Sequence, residues 1–410
     1  MKLYKREKYL KKIRDFYHEE DIIKVITGIR RSGKSSLMET IVEELQETGI
    51  PQENLIYIDL DKRGYKNIKT PEQLEKVIDE KSAGSKKGII YLFIDEIQNV
   101  ASFEEVLNGF RTDGGYSIFI TGSNSYLLSG ELITKLTGRY LEFELFTLTF
   151  DEYIDMKRFY KNEISPNLHD ELVNYIIEGG FPRTITLKTL AAKRTYVQGI
   201  ISEIFKKDIQ ARVKIRKKDS FESVQNFIIN NFGAITDIKS IQKGLKQNGK
   251  SISYATIGRY IQILSDAKII YECPRFDLKS KRAMVNEKKY YLADLGIYYS
   301  TNTDNRINYG PNLENMIYLY ARSQGYSISV GRIGKLECDF IMRSPENDYS
   351  YVQVAYVLAN IDIENREYRP LEQIKDNYPK YVITTDSLLQ KRNGIKHVNL
   401  MRFCLNHEQF

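Results

Sequence analysis

Cysteine and histidine are scarce in this chain, and the few present are placed where they exclude chemistry more than suggest it. Three cysteines, Cys273, Cys338 and Cys404, lie far apart with no CxxC pair, so a disulfide-built chain is not indicated and each is read as a reduced structural thiol. Four histidines, His18, His169, His397 and His407, are scattered without metal-ligand spacing. With 25 glycines and nine prolines in 410 residues, neither reaches the excess that marks fibrous or disordered chains. No run approaches the roughly 18 apolar residues of a membrane span. The nearest, Gly88–Ile94, ends at Asp95. The amino terminus, MKLYKREKYLKKIRDFYHEED, carries charge throughout and lacks the apolar stretch of a secretion signal. A cytoplasmic protein with no membrane partner is expected.

Charge of either sign is also modest. The 61 basic and 54 acidic residues leave +7, which permits an acidic partner such as nucleic acid without demanding one. What is present is an ordinary soluble composition, 42% hydrophobic and 28% charged, in a chain longer than one hydrophobic core usually organises. Two or three domains are expected.

Residues 1–150 alternate short β-rich runs with helical stretches: IIKVITG, a helix from Lys34, NLIYIDLD, a helix near Pro71–Glu80, GIIYLFIDE and SIFITGS. That rhythm predicts a mostly parallel sheet covered by helices on both faces, with function at the carboxyl ends of the strands. Over 151–218 the β-rich runs vanish and helical periodicity takes over, broken by Ser165-Pro166 and by the turn Gly179-Gly180-Phe181-Pro182, as in a helical lid.

Within the first segment, GIRRSGKSS fits GxxxxGK[ST] between an apolar strand and a helix. Its glycines let the backbone of Gly28, Ile29, Arg30, Arg31, Ser32 and Gly33 turn amides toward phosphate oxygens. Lys34 supplies a point charge near the β and γ phosphates, and the Ser35 hydroxyl, followed by Ser36, can ligate magnesium. ATP with Mg2+ is the expected ligand. Further on, GIIYLFIDEIQNV is an unbroken apolar strand ending in two carboxylates. Asp95 would hold the magnesium through water, and Glu96 would take a proton from the attacking water. Ser123 and Asn124, at the exit of SIFITGSNS, are candidates to orient that water or touch the γ phosphate. Arg139, in TGRYLEFELFTLTFDEY, can offset transition-state charge on the γ phosphate of its own or a neighbouring subunit.

Taken in order, GIRRSGKSS, YLFIDEIQNV, FITGSNSYLL, LTGRYLEFELFTLTFDEY and EGGFPR resemble a prokaryotic AAA+ family whose members join an ATPase to a carboxy-terminal region. The resemblance covers nearly the whole chain. It implies an α/β P-loop NTPase core of the AAA+ type with a helical lid, with Arg139 as the arginine finger and Arg183, after the Gly-Gly-Phe-Pro turn, as a lid residue that senses nucleotide.

Over 219–294 three apolar stripes, Phe221/Val224/Ile228, Ile238/Ile241/Leu245 and Ile257/Tyr260/Ile261/Leu264, are followed by two β-runs, KIIYECPRF and KKYYLAD, as in a winged helix. Thr236 or Asp237 can cap the second helix and Ser253 the third. Lys243, Lys246, Lys250 and Arg259 could meet DNA phosphates. The segment 295–410 resembles a mixed α/β nuclease-like domain of the PD-(D/E)xK type, with Glu314, Asp339 and Gln353 in the places of its magnesium-binding acids. Gln353 replaces an acid and Ala355 stands where the lysine belongs, so a degenerate site is expected unless Lys335 or another basic residue has moved into that role.

The function expected is an AAA+ ATPase that couples nucleotide state to a DNA-binding winged helix and nuclease-like module. Its rival is an ATP-dependent switch that assembles with protein partners, or with further copies of itself, without DNA.

Overall fold

The computed structural model describes residues 3–122, 136, 138–210, 213–215, 217–302 and 306–410, apart from the side chains of Val285 and Asn286. The chain divides into two compact units, Met1–Leu145 and Phe146–Phe410.

In the first unit five strands, β1 (Ile23–Thr27), β2 (Leu55–Asp59), β3 (Ile90–Asp95), β4 (Tyr116–Gly122) and β5 (Tyr140–Glu144), form a wholly parallel sheet in the order β2-β3-β4-β1-β5. Among the described residues four α-helices accompany them: α1 (Glu7–Ile13), α2 (Lys34–Glu47), α3 (Pro71–Ser82) and α4 (Phe103–Asp113). Because successive strand residues point to opposite faces, the apolar runs feed two cores. Val25, Ile58, Leu92, Ile94, Ile118 and Ile120 meet Leu74 and Ile78 of α3 and Leu107 of α4. Their neighbours Ile26, Phe93 and Phe119 meet Leu10 and Ile13 of α1 and Met38 and Ile41 of α2. The start of α3 is set locally: Pro71 fits the first turn, and Thr70 and Gln73 exchange side-chain and backbone hydrogen bonds. The predicted sheet, with helices on both faces, is the one observed.

The second unit opens with helices α5 (Phe150–Phe159), α6 (Leu168–Glu178) and α7 (Leu190–Glu203). Three more follow: α8 (Lys218–Asn230), α9 (Ile238–Gln247) and α10 (Tyr254–Asp266). Their expected stripes face inward: Phe221, Val224, Ile241, Leu245, Ile257 and Leu264 are buried. Asp237 accepts the Ser240 N–H at 2.7 Å and Ser253 the Thr256 N–H at 3.3 Å, so these residues cap α9 and α10.

The hairpin β6 (Ile270–Asp277) and β7 (Arg282–Leu292) leads to α11 (Leu295–Thr301) and α12 (Tyr309–Gln324). Then come β8 (Ser327–Ile333), β9 (Leu336–Arg343), β10 (Tyr349–Val354), α13 (Ile361–Gln373), β11 (Lys380–Thr384), β12 (Lys391–Arg392), β13 (Ile395–Asn399) and α14 (Leu400–Leu405). Here the structure differs from a free-standing wing. Arg275–Asp277 of β6 pair in parallel with Val330–Arg332 of β8, so the hairpin forms the edge of one eight-stranded sheet, β12-β13-β11-β10-β9-β8-β6-β7. Open backbone groups on β8 account for the join, since a strand edge is satisfied by whatever strand reaches it. No helix among the described residues is long and apolar enough to cross a membrane.

Candidate nucleotide site

The carboxyl ends of β1 and β3 lie near the middle of the first sheet, and the loop after β1 runs straight into α2. Gly28 opens that loop at φ 146°, and a Cβ added there would lie 2.2 Å from the Leu145 carbonyl oxygen. Only glycine fits. Arg31 (φ 68°) and Gly33 (φ 104°) carry the left-handed turns that bring the chain into α2 at Lys34. The Lys34 side chain is buried, and its ammonium donates to the carbonyls of Gly28 at 3.0 Å and Ile29 at 3.3 Å, folding over the loop it terminates. The Ser32 hydroxyl is fully buried and finds no partner among the described residues.

Asp95 is buried at the end of β3 and bonded by two hydroxyls, Ser35 of α2 and Thr121 of β4, while the Tyr57 hydroxyl stands 3.4 Å from its other oxygen. Burial raises the Asp95 pKa; the Ser35 and Thr121 hydrogen bonds oppose that rise, Glu96 adds to it and Lys34 offsets it. Glu96 follows in a left-handed conformation, φ 56°, with its N–H on the Thr121 hydroxyl at 3.0 Å and its carboxylate accepting from Gln98. Glu39 is likewise pushed up, by burial first, with Asp95 and Asp59 contributing against Lys62. Cationic and anionic groups thus meet in one place: a lysine and a strand of backbone amides on one side, carboxylates on the other. A glycine cradle, a buried unpartnered hydroxyl and a hydroxyl–carboxylate pair suit a nucleotide phosphate with its divalent cation.

Two residues of this site escape sequence reasoning. Thr121 is read only as part of a strand, which it is, but its hydroxyl also links Asp95 and Glu96. Arg6, buried ahead of α1, donates to the Ser32 carbonyl at 3.3 Å while its guanidinium lies over the Tyr9 ring at 4.6 Å. A polar residue in the apolar run YSIFITG is the only signal for the first; the charged amino-terminal sequence hides the second.

Arg139 is not at this site. It is exposed at the amino end of β5, with its guanidinium on Asn108 at 3.2 Å and its carbonyl accepting the Ile23 N–H at 2.9 Å. Since β5 runs parallel to β1 with Glu144 opposite Thr27, Arg139 and Gly28 stand at opposite ends of the two strands, about 20 Å apart along them at a rise of ~3.3 Å per residue. Ser123 and Asn124 lie outside the described residues. Arg183 is exposed on the short turn Pro182–Thr186 of the second unit.

The three remaining candidates are in the second unit, and two of them, Glu314 and Asp339, are brought together around a residue that sequence reasoning missed. Lys289 of β7 is buried, and its ammonium lies 2.8 Å from Glu314, 2.9 Å from Glu337 and 3.8 Å from Asp339. Burial works against its charge, but Glu314, Asp339 and Glu337 outweigh it and hold the lysine pKa above its ordinary range. Burial and then the Glu314 charge push Asp339 well up. Gln353 pairs instead with the Asp339 N–H and with Glu367. Ala355 does leave its own position without a lysine, yet the cluster has one, supplied by β7; Lys335 is exposed in the turn before β9.

A parallel β2-β3-β4-β1-β5 sheet, a glycine-rich loop entering α2 and a buried carboxylate at the end of β3 define an AAA-type P-loop ATPase domain. Comparison with known families agrees: residues 20–154 match an AAA domain, and residues 169–306 match a domain of unknown function (DUF8612). An uncharacterized protein of Haemophilus influenzae is 34% identical over 380 residues, 92% of each chain, and one of Methanocaldococcus jannaschii is 32% identical over 364 residues, 86% of this chain and 79% of that one. The chain belongs to the family these two proteins represent. Among solved structures, the Walker-type ATPase of Pyrococcus abyssi shares the fold with a TM-score of 0.51 at 16% identity, over 73% of this chain and 95% of that one.

Proposed function

We propose that the chain binds ATP on Gly28–Ser36 and hydrolyses it, and that the nucleotide state governs how its second unit engages DNA. The observation that carries the first part is the Lys34 ammonium resting on the carbonyls of its own loop, beside a Ser35 hydroxyl already bonded to Asp95. A lysine in that position releases two carbonyls and turns to phosphate oxygens when they arrive, gaining charge-assisted bonds in exchange for neutral ones. Ser35 and Asp95 would hold the magnesium ion, which neutralises phosphate charge when bound. Glu96, kept beside Asp95 by its backbone bond to Thr121, takes the proton of the attacking water. Ser123 and Asn124 orient that water, and Arg183 reports the nucleotide to the helical lid of residues 151–218.

Arg139 completes the site of a neighbouring copy, because it stands at the far end of the sheet from its own loop. A homo-oligomer is therefore the working form in this reading.

The DNA reading rests on the segment 219–294. Lys243, Lys246, Lys250 and Arg259 are exposed on and around the capped helices α9 and α10. A cleft of about 860 Å³ beside α10 is lined by Lys214, Lys217, Arg259, Ser253 and Thr256, with no carboxylate among the described residues that line it. Cations and hydroxyls without acids suit phosphate oxygens.

ATP turnover measured with and without duplex DNA at two salt concentrations tests the coupling. Stimulation that fades as salt rises is expected. A rate indifferent to DNA at low salt, with an oligomeric state that changes with ATP, would transfer the reading to a switch acting on protein partners.

A further inference from the structure

We propose that the Lys289 ammonium holds the place of a divalent cation in the acidic cluster of the second unit, so that this half of the chain takes no metal there and cuts no phosphodiester. The cluster and its supports come from α12, α13, β6, β7, β9, β10 and β11 and include none of the residues named for ATP or DNA, so those readings can fail or hold without touching it.

Position comes first. Glu314 comes from α12, whereas Glu337 and Asp339, two apart on β9, point to one face of the sheet. A divalent ion shared by such carboxylates would sit between them at roughly 2.0–2.6 Å from their oxygens. The gap is filled: Lys289 Nζ lies 2.8 Å from Glu314 Oε2 and 2.9 Å from Glu337 Oε1, with Asp339 Oδ1 at 3.8 Å. Other donors complete the arrangement, the Tyr291 hydroxyl on Glu314 at 2.8 Å and the Arg275 guanidinium on Glu337 at 3.3 Å. One Asp339 oxygen accepts the Val354 N–H at 2.8 Å and is spent on the backbone of β10.

Gln353 supports the same conclusion, because its amide is used from both ends. Its oxygen faces the Asp339 N–H at 3.4 Å and its nitrogen donates to Glu367 at 3.0 Å, both buried. A carboxylate at 353 could not donate and would face Glu367 with like charge. The residue that departs from a metal-binding acid is thus fitted to an arrangement built around a lysine. Ala355 is buried with its N–H on Ile383, which leaves no lysine at that place on the β10 side to steer a water. The cation of the cluster comes from β7 and is bound to the acids themselves.

The test uses the full chain without nucleotide. Mn2+ titration, followed by the paramagnetic resonance of the free ion, is made on wild type, D339N, K289A and the K289A/D339N double variant. Wild type and D339N should be indistinguishable. K289A should gain a site at least about tenfold tighter than anything in wild type, because three carboxylates are freed, and the double variant should lose it. A wild-type Mn2+ site that D339N abolishes, or a folded K289A that gains none, overturns the proposal. If K289A does not fold, wild type and D339N still decide it in a Mn2+-supported cleavage assay on plasmid and single-stranded DNA. Absence of any Asp339-dependent cut is expected, and cleavage that D339N removes contradicts the proposal.

Discussion

The Thr121 hydroxyl donates to Asp95 and accepts the backbone N–H of Glu96 at 3.0 Å, so one side chain on β4 fixes both acids at the end of β3. Thr121→Val removes both bonds while keeping the β-branched shape. ATP affinity should stay within about twofold and the turnover rate should fall on the order of tenfold, as expected for losing a hydrogen bond to a charged group. Equilibrium nucleotide binding beside steady-state hydrolysis separates the two effects. Equal loss in both would mean that Thr121 supports only the fold.

Gly28→Ala should be severe. Its Cβ would meet the Leu145 carbonyl at 2.2 Å, and φ 146° is foreign to alanine. A loss of about 1–3 kcal/mol in stability is expected from overpacking, together with loss of ATP binding. Thermal melting with and without nucleotide measures both. A variant that melts and binds like wild type would show that the loop does not sit as described.

Arg139→Ala should bind ATP normally and hydrolyse it at least about 100-fold more slowly, the scale for removing a donor to transition-state charge. Because Arg139 stands at the far end of the sheet from its own loop, activity should return when this variant is mixed with Lys34→Ala, which lacks a working loop but carries the arginine. No recovery on mixing, under conditions where the wild type is oligomeric, would remove Arg139 from this role.

Asp294 is fully buried, accepting the N–H groups of Gly180 and Gly296 at 2.8 Å, and burial raises its pKa to about 7 despite those bonds. An unfolded aspartate titrates near 4, so between these values the folded chain holds the extra proton and stability falls as pH rises. Over that window the contribution is about 4 kcal/mol, at ~1.4 kcal/mol per pKa unit, and it is flat above pH ~7. Melting temperature against pH for wild type and Asp294→Asn is the check: the variant should lack this fall between pH 4 and 7. A parallel pair of profiles would show that Asp294 does not titrate there.

How much of this was legible before the structure follows from what is local. GIRRSGKSS works within nine consecutive residues, and IIKVITG, NLIYIDLD and GIIYLFIDE declare buried strands by their unbroken apolar character, so the sheet and Asp95 followed from sequence. The stripes of α8–α10 and the caps Asp237 and Ser253 are equally local. Lys289 was not legible, because its partners Glu314, Glu337 and Asp339 come to it through the packing of α12 and the order of strands in a sheet. The pairing of β6 with β8 is long-range in the same way, which is why the hairpin reads as a wing in the sequence and as a sheet edge in the fold. Arg139 is intermediate. Its motif marks it, but only the register of β5 on β1 shows which end of the sheet it occupies.

Replacing Lys243, Lys246, Lys250 and Arg259 together by alanine should weaken DNA binding at low salt and flatten its salt dependence by about one unit of slope for each phosphate no longer neutralised. Fluorescence anisotropy over a salt series measures this, and an unchanged slope would place any DNA-binding surface elsewhere on the chain.

The most direct measurement is ATP hydrolysis by wild type and Glu96→Gln, with ATP binding recorded on the same preparations. Wild type should bind and turn over ATP. Glu96→Gln should bind it as tightly and hydrolyse it at least about 100-fold more slowly, the scale of a lost general base. Hydrolysis by Glu96→Gln at the wild-type rate, or a wild type that does not bind ATP, would contradict the account.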